Sequence, residues 1–180
     1  KRPILNNDEW KIFYDKINEI SKYMEDSGVP LAYHHHMGTV VQSQEDTERL
    51  IDNTLDTVKL LIDTGHMMFA GGDFEKIAKD YSTRLYHVHC KDIRKDILDI
   101  ALKDDLSFIE AFFSGAFTVP GDGCINYKNF LKVLKDLDYK GWLVVEAEQD
   151  PKKANPFEYG KIGFNHLRKI ALDCGFEITR

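Results

Sequence analysis

Four short segments constrain this chain more than anything else in it. "LAYHHH" (31–36), "VKLLIDTG" (58–65), "RLYHVHC" (84–90) and "GWLVVEAE" (141–148) each begin apolar and turn polar at the C-terminal end. Helical patterns separate them. Residues 8–27 carry Trp10, Phe13, Ile17, Ile20 and Met24 at spacings of three and four, with Gly28 as a stop and Pro30 just beyond. Ser43 and Asp46 form a capping-box pattern ahead of Leu50, Ile51, Leu55 and Val58. Asp73 caps "FEKIAKDY", Asn126 caps "YKNFLKVLKDL", and Asn155-Pro156 opens a last helix that Gly175 ends. Residues 92–117 read as helix and loop by turns, and "VPGDGC" is turn chemistry. Short, largely apolar strands alternating with helices suit a parallel sheet covered by helices, so the fold class is α/β. Periodicity does not separate an open sheet from a barrel.

In parallel α/β folds, sites gather at the C-terminal ends of the strands. Here those ends carry His34, His35 and His36; Asp63, with His66 just after; His87 and His89, followed by Lys91 and Asp92; and Glu146 and Glu148. Side chains alternate faces along a strand. His34 therefore shares a face with His36, His87 with His89, and Glu146 with Glu148, while His35 points to the opposite face. Burying such groups without partners costs several kcal/mol each, roughly. A single strand-end histidine is usually a hydrogen-bonded structural residue, but four strand ends agreeing point to a divalent cation. The ligand set expected is His34, Asp63, His89 and Glu146. Its nitrogen and oxygen donors favour Mn²⁺, Co²⁺, Zn²⁺ or Fe²⁺ over Ca²⁺ or a thiolate site.

Composition narrows the partners. The 180 residues are 43% hydrophobic and carry a formal net charge of −6, which argues against nucleic acid and against an anionic membrane surface. No apolar run reaches the roughly 18 residues of a spanning helix, and no secretory apolar region opens the chain. Cys90, Cys124 and Cys174 form no CxxC pair, which suggests free thiols in a reducing, cytoplasmic compartment. Lys1 stands where a methionine would, as expected of a processed or excised piece. One domain over 1–180 is the natural expectation.

"DTGH", "HVHCKDIR" and "WLVVEAE" resemble the sixth-, seventh- and eighth-strand motifs of the xylose isomerase-like TIM barrel superfamily of sugar isomerases, epimerases and dehydratases. The resemblance implies Asp63, His89 and Glu146 as metal ligands, with His66 and Arg94 on substrate. Within that superfamily, "YHHHMGT", "LIDTGHM", "HVHCKD", "FTVPGDGCI" and "VVEAEQDP" together are similar to the inosose dehydratases of inositol catabolism. Many isomerases and epimerases of the superfamily carry a glutamate on strand five, where this chain has His34, and that departure favours the dehydratases. The resemblance also places this chain on strands five to eight. A full (β/α)₈ barrel takes about 250 residues, so a C-terminal half-barrel is expected, forming a homo-oligomer or pairing through open edges.

What the resemblance implies chemically is loss of water from 2-keto-myo-inositol, a small polyol ketone, to give a trihydroxycyclohexane-dione. Mn²⁺ or Co²⁺ is the expected ion, with Zn²⁺ as the next candidate. Glu146, Glu148, Lys91 and His66 are the candidates for proton transfer, and Lys91, His66 and Arg94 for substrate contact. His36 and His87 are expected to orient ligands, and His166 to be structural. "VPGDGC" is either a loop near the substrate or the turn before a helix. A sugar epimerase or isomerase is the alternative, as is a piece that binds metal and catalyses nothing. An apurinic endonuclease would need a basic groove that the charge does not support.

Overall fold

The computed structural model describes residues 2–179 and divides into two compact units, the first ending at His87 and the second starting at Val88. In the first unit α1 (Asn7–Asp26) is followed by β1 (Leu31–His34), α2 (Gln44–Asp52), β2 (Val58–Asp63), α3 (Thr64–Phe69) and α4 (Phe74–Asp80). The next strand, β3 (Leu85–Cys90), runs across the boundary. The second unit continues with β4 (Asp92–Ile93), α5 (Lys95–Lys103), α6 (Phe108–Ser114), β5 (Phe117–Thr118), α7 (Tyr127–Asp136), β6 (Leu143–Val145) and α8 (Pro156–Asp173). The α/β alternation expected from the sequence is therefore present.

Side-chain caps set most helix starts. Asn6 accepts hydrogen bonds from the Asp8 and Glu9 amides, and Glu9 accepts one from the Asn6 amide. Ser43 with Asp46 forms the expected capping box, and Asp73, Asn126 and Asn155 cap as the sequence indicated. Two details of the apolar faces differ from expectation. Ile20 is half exposed, and Ser21 takes the inner place instead, sharing a hydrogen bond with Thr57 at 2.8 Å. Leu55 and Val58 do not line α2, which stops at Asp52; Val58 opens β2. The core of this unit packs Trp10, Ile17, Val41, Leu50 and Val58.

β1 and β2 pair in parallel, with His34 opposite Leu61. Residues in register on parallel strands face the same side, and so does a residue two further on. His34 and Asp63 are thereby put on one face. In the second unit β3 and β6 pair in parallel with His89 opposite Val144, which places Glu146 on the face of His89. β4 and β5 form a two-residue antiparallel pair within the stretch that the sequence left as helix and loop. Gly163 lets α8 lie close: a Cβ there would come within 2.6 Å of Val145 and 2.9 Å of Val119.

Candidate metal and proton-transfer site

In the first unit the end of β2 does two things with one carboxylate. Asp63, fully buried, is the N-cap of α3: its Oδ1 accepts the His66 amide proton at 2.9 Å. Its other oxygen lies 3.4 Å from His34 Nε2. The cap fixes the carboxylate plane and so aims Oδ2. His66 sits in α3, a helix the sequence pattern did not reveal because its six residues are too few for a periodic signal. His66 is fully buried, and its ring packs against His36 with centroids 3.7 Å apart. His34 lies 5.3 Å from His36 and 5.6 Å from His66 on the same measure.

The histidine triplet departs from a simple strand alternation because β1 ends at His34. His35 is fully buried, and its Nε2 accepts the Asp63 amide proton at 3.2 Å. It therefore holds the backbone of a predicted ligand. His36 Nδ1 lies 2.7 Å from the Met37 carbonyl.

In the second unit His89 Nδ1 lies 2.9 Å from Glu146 Oε2. Lys91 lies in the same cluster. Its Nζ is 3.2 Å from Glu146 Oε2 and 2.8 Å from Glu148 Oε2, and its side chain is fully buried. The same ammonium stands 5.6 Å from the centre of the Phe117 ring. Glu146 and Glu148 lie just beyond β6 and both face Lys91, as the two-residue period requires. His87 is half-buried.

Donor chemistry and spacing fit a divalent cation within each unit. Ligand atoms about 2.0–2.2 Å from one ion stand roughly 2.9–3.5 Å from each other in tetrahedral or octahedral geometry. The pairs His34–Asp63 and His89–Glu146 both fall in that range.

Arg94 is committed to its own surroundings. Its Nη1 donates to the Gly115 carbonyl at 2.7 Å, and its Nη2 donates to Thr118 Oγ1 at 3.1 Å and to Asp122 Oδ2 at 2.6 Å. It also lines a cavity of about 230 Å³.

Asp92 carries a role that no sequence pattern assigns. This buried carboxylate accepts amide protons from Ile93 at 2.8 Å, Ile125 at 2.9 Å and Gly121 at 3.3 Å, which folds "VPGDGC" back over β4. Burial pushes its pKa up, and the three amides oppose that. Gly123 is required there, because a Cβ would overlap Asp92 Oδ1. His166 is exposed on α8 against Gly121. The only signal of Asp92 in the sequence is its place just beyond the polar end of the third strand, after Lys91.

Comparison with known proteins places these features. The chain is 45% identical over 179 residues to the rhizopine catabolism protein MocC of Rhizobium meliloti, covering 99% of this chain and 55% of that one. It is 47% identical over 159 residues to an inosose dehydratase of Bacillus cereus (strain AH820), covering 88% of this chain and 53% of that one. The chain spans about half the length of the curated relatives it matches. Among solved structures, a probable 3-DHS dehydratase, AsbF, from Bacillus anthracis superposes with a TM-score of 0.72 at 16% identity, covering 91% of this chain and 58% of that one. The IOLI protein, solved with a binding zinc atom, gives 0.65 at 20% identity, covering 97% and 59%. These two likenesses concern the fold. A family model for the xylose isomerase-like TIM barrel matches residues 2–170, and the chain belongs to that family.

Proposed function

We propose that this chain carries the metal and proton-transfer residues of an enzyme that removes water from 2-keto-myo-inositol, giving a trihydroxycyclohexane-dione. Several inosose dehydratases at 46–47% identity support the substrate and reaction. The observation that carries the reading is Lys91, a buried lysine between Glu146 and Glu148. Eliminating water beside a ketone takes a proton from carbon and returns one to the departing hydroxyl oxygen, so donor and acceptor groups must lie close together.

From the order of the strand-end motifs, His34, Asp63, His89 and Glu146 are proposed as ligands of one divalent cation, Mn²⁺ or Co²⁺ first and Zn²⁺ next. The motif order and the spacing of each pair support this set. A bound cation would polarise the ketone and stabilise negative charge on its oxygen. The chain's own groups handle the protons. Lys91 Nζ and Glu148 Oε2, 2.8 Å apart, are close enough to pass a proton directly, so one can be recharged by the other. His66 and Arg94 are proposed to contact substrate, Arg94 with its fork held by Asp122 and the Gly115 carbonyl.

Placing β1, β2, β3 and β6 as the fifth to eighth strands of a barrel, with copies associating through strand edges, belongs to the same proposal and is supported by motif order. No helix among the described residues is long and apolar enough to cross a membrane. A cytoplasmic location is inferred from the three free cysteines.

The test is turnover of 2-keto-myo-inositol, followed by near-ultraviolet absorbance of the dione, with Mn²⁺, Co²⁺ or Zn²⁺ added after chelation. Dehydration restored by a metal supports the reading. An epimeric ketone without absorbance would make the chain an epimerase, and tight metal uptake without turnover would make it a metal-binding piece.

A further inference from the structure

The two carboxylates that face Lys91 lie where the sheet has run out. β6 ends at Val145, and the Glu146 amide still donates to the Cys90 carbonyl at 3.3 Å. Glu148 stands two residues further on, in chain without regular structure, with Oε2 2.8 Å from Lys91 Nζ. Its neighbour Gln149 takes no part in the chemistry above, but its side chain makes a long-range bond: Nε2 donates to Thr118 Oγ1 at 3.2 Å.

Thr118 is fully buried in β5. Its hydroxyl donates to Asp122 Oδ2 at 2.6 Å, and it accepts from Arg94 Nη2 at 3.1 Å as well as from Gln149. A threonine hydroxyl has one proton to give and two lone pairs to offer, so these three partners use it completely. Arg94 Nη2 also donates to Asp122 Oδ2 at 2.6 Å, which closes threonine, aspartate and arginine into a ring. Hydrogen bonds to charged groups are the stronger ones. The ring therefore commits the hydroxyl proton to Asp122 and leaves a lone pair for Gln149, which only the amide nitrogen can meet. Phe117, the other residue of β5, has its ring centre 5.6 Å from Lys91 Nζ. One two-residue strand thus touches the Lys91–Glu148 pair from both ends. It meets the ammonium through Phe117, and the chain beside the carboxylate through Thr118 and Gln149.

We propose that Thr118 is a positioning residue for proton transfer: held by Asp122 and Arg94, its hydroxyl anchors Gln149 and so keeps Glu148 within reach of Lys91. The proposal rests on the dehydratase reading for what Lys91 and Glu148 do. A misplacement of about 1 Å can cost about 100-fold in rate, so an anchor outside the reacting groups matters.

The experiment compares kcat, KM and crystal structures of three variants. Gln149→Leu, at a half-buried position, removes the bond to Thr118 and leaves the ring intact. Its kcat for dehydration of 2-keto-myo-inositol should fall about 10–100-fold. Its KM should stay within about threefold of the parent's, with bound metal retained. Thr118→Val, similar in shape, should lose at least as much in kcat, whereas Thr118→Ser should keep the parent's value. Combining Gln149→Leu with Thr118→Val should be no slower than Thr118→Val alone, because both cut one link. Thermal unfolding checks that the variants fold, and Gln149→Leu alone decides if Thr118→Val does not. Crystals of Gln149→Leu should show Glu148 Oε2 beyond hydrogen-bond reach of Lys91 Nζ. Glu148 still on Lys91 with kcat unchanged in Gln149→Leu would overturn the positioning role and leave the dehydratase reading intact. Losses that multiply in the double variant would overturn it too. Displacement of Glu148 in Gln149→Leu, with no turnover of 2-keto-myo-inositol by the parent, would keep the positioning role and remove the dehydratase reading.

Discussion

Asp63 and His66 are tied by a helix cap: Oδ1 of the aspartate accepts the histidine's amide proton at 2.9 Å, and this leaves Oδ2 aimed at His34. The two oxygens can be tested apart. Asp63→Asn keeps a carbonyl for the cap and loses the anionic ligand. Its urea midpoint without metal should stay near that of the parent, while metal affinity falls about 100-fold or more. Asp63→Ala should lose the metal as well and a further ~1 kcal/mol with the cap. Metal content by atomic spectroscopy and urea unfolding measure the two effects.

Lys91 is held by two carboxylates and packs near Phe117. Lys91→Met should lower kcat for dehydration by about 10²–10⁴-fold if the lysine transfers a proton, with bound metal retained. Lys91→Arg should not rescue it, because a planar fork does not replace a compact ammonium between Glu146 and Glu148. Steady-state kinetics alongside metal analysis separates a chemical loss from a lost ion.

Asp92 sets a pH dependence. Its carboxyl titrates above its ordinary 3.8 in the folded protein because burial disfavours the charged form. The folded state then holds this proton more tightly than the unfolded chain. Its contribution to stability is fully present below pH 3.8 and is lost as pH rises through the raised value. Asp92→Asn keeps an acceptor for the Ile93 and Ile125 amides and removes the titration. The stability of the parent relative to Asp92→Asn should therefore fall with rising pH in that window and stay level above it, as read by urea midpoints across pH.

Gly160 and Gly163 lie three residues apart in α8 and should respond oppositely to alanine. A Cβ on Gly160 meets nothing within 4 Å, so Gly160→Ala should stabilise by roughly 0.5–1 kcal/mol through helix propensity. A Cβ on Gly163 would press on Val145, Val119 and Pro120, so Gly163→Ala should cost about 1–3 kcal/mol. Thermal melts of the two variants decide this.

Much of this molecule was legible in the sequence because its signals are local. A cap needs a polar side chain and an amide two or three residues away, so Ser43, Asp73, Asn126 and Asn155 could be read directly. The face of a strand residue follows from a period of two, so the pairings of His34 with Asp63 and of His89 with Glu146 needed only parallel strands in register. Other features depend on where the chain returns. The alternation stops with β1 at His34, so only packing put His35 on the Asp63 amide and His36 against His66. The three amides on Asp92 come from residues up to 33 positions away, and the partners of Arg94 lie on and beside β5, two residues too short to carry a strand pattern. Sequence determined which groups reach the strand ends and which side they face. Tertiary structure decided which of them hold one another, because a hydrogen bond between distant residues is fixed by packing and leaves no local periodicity behind.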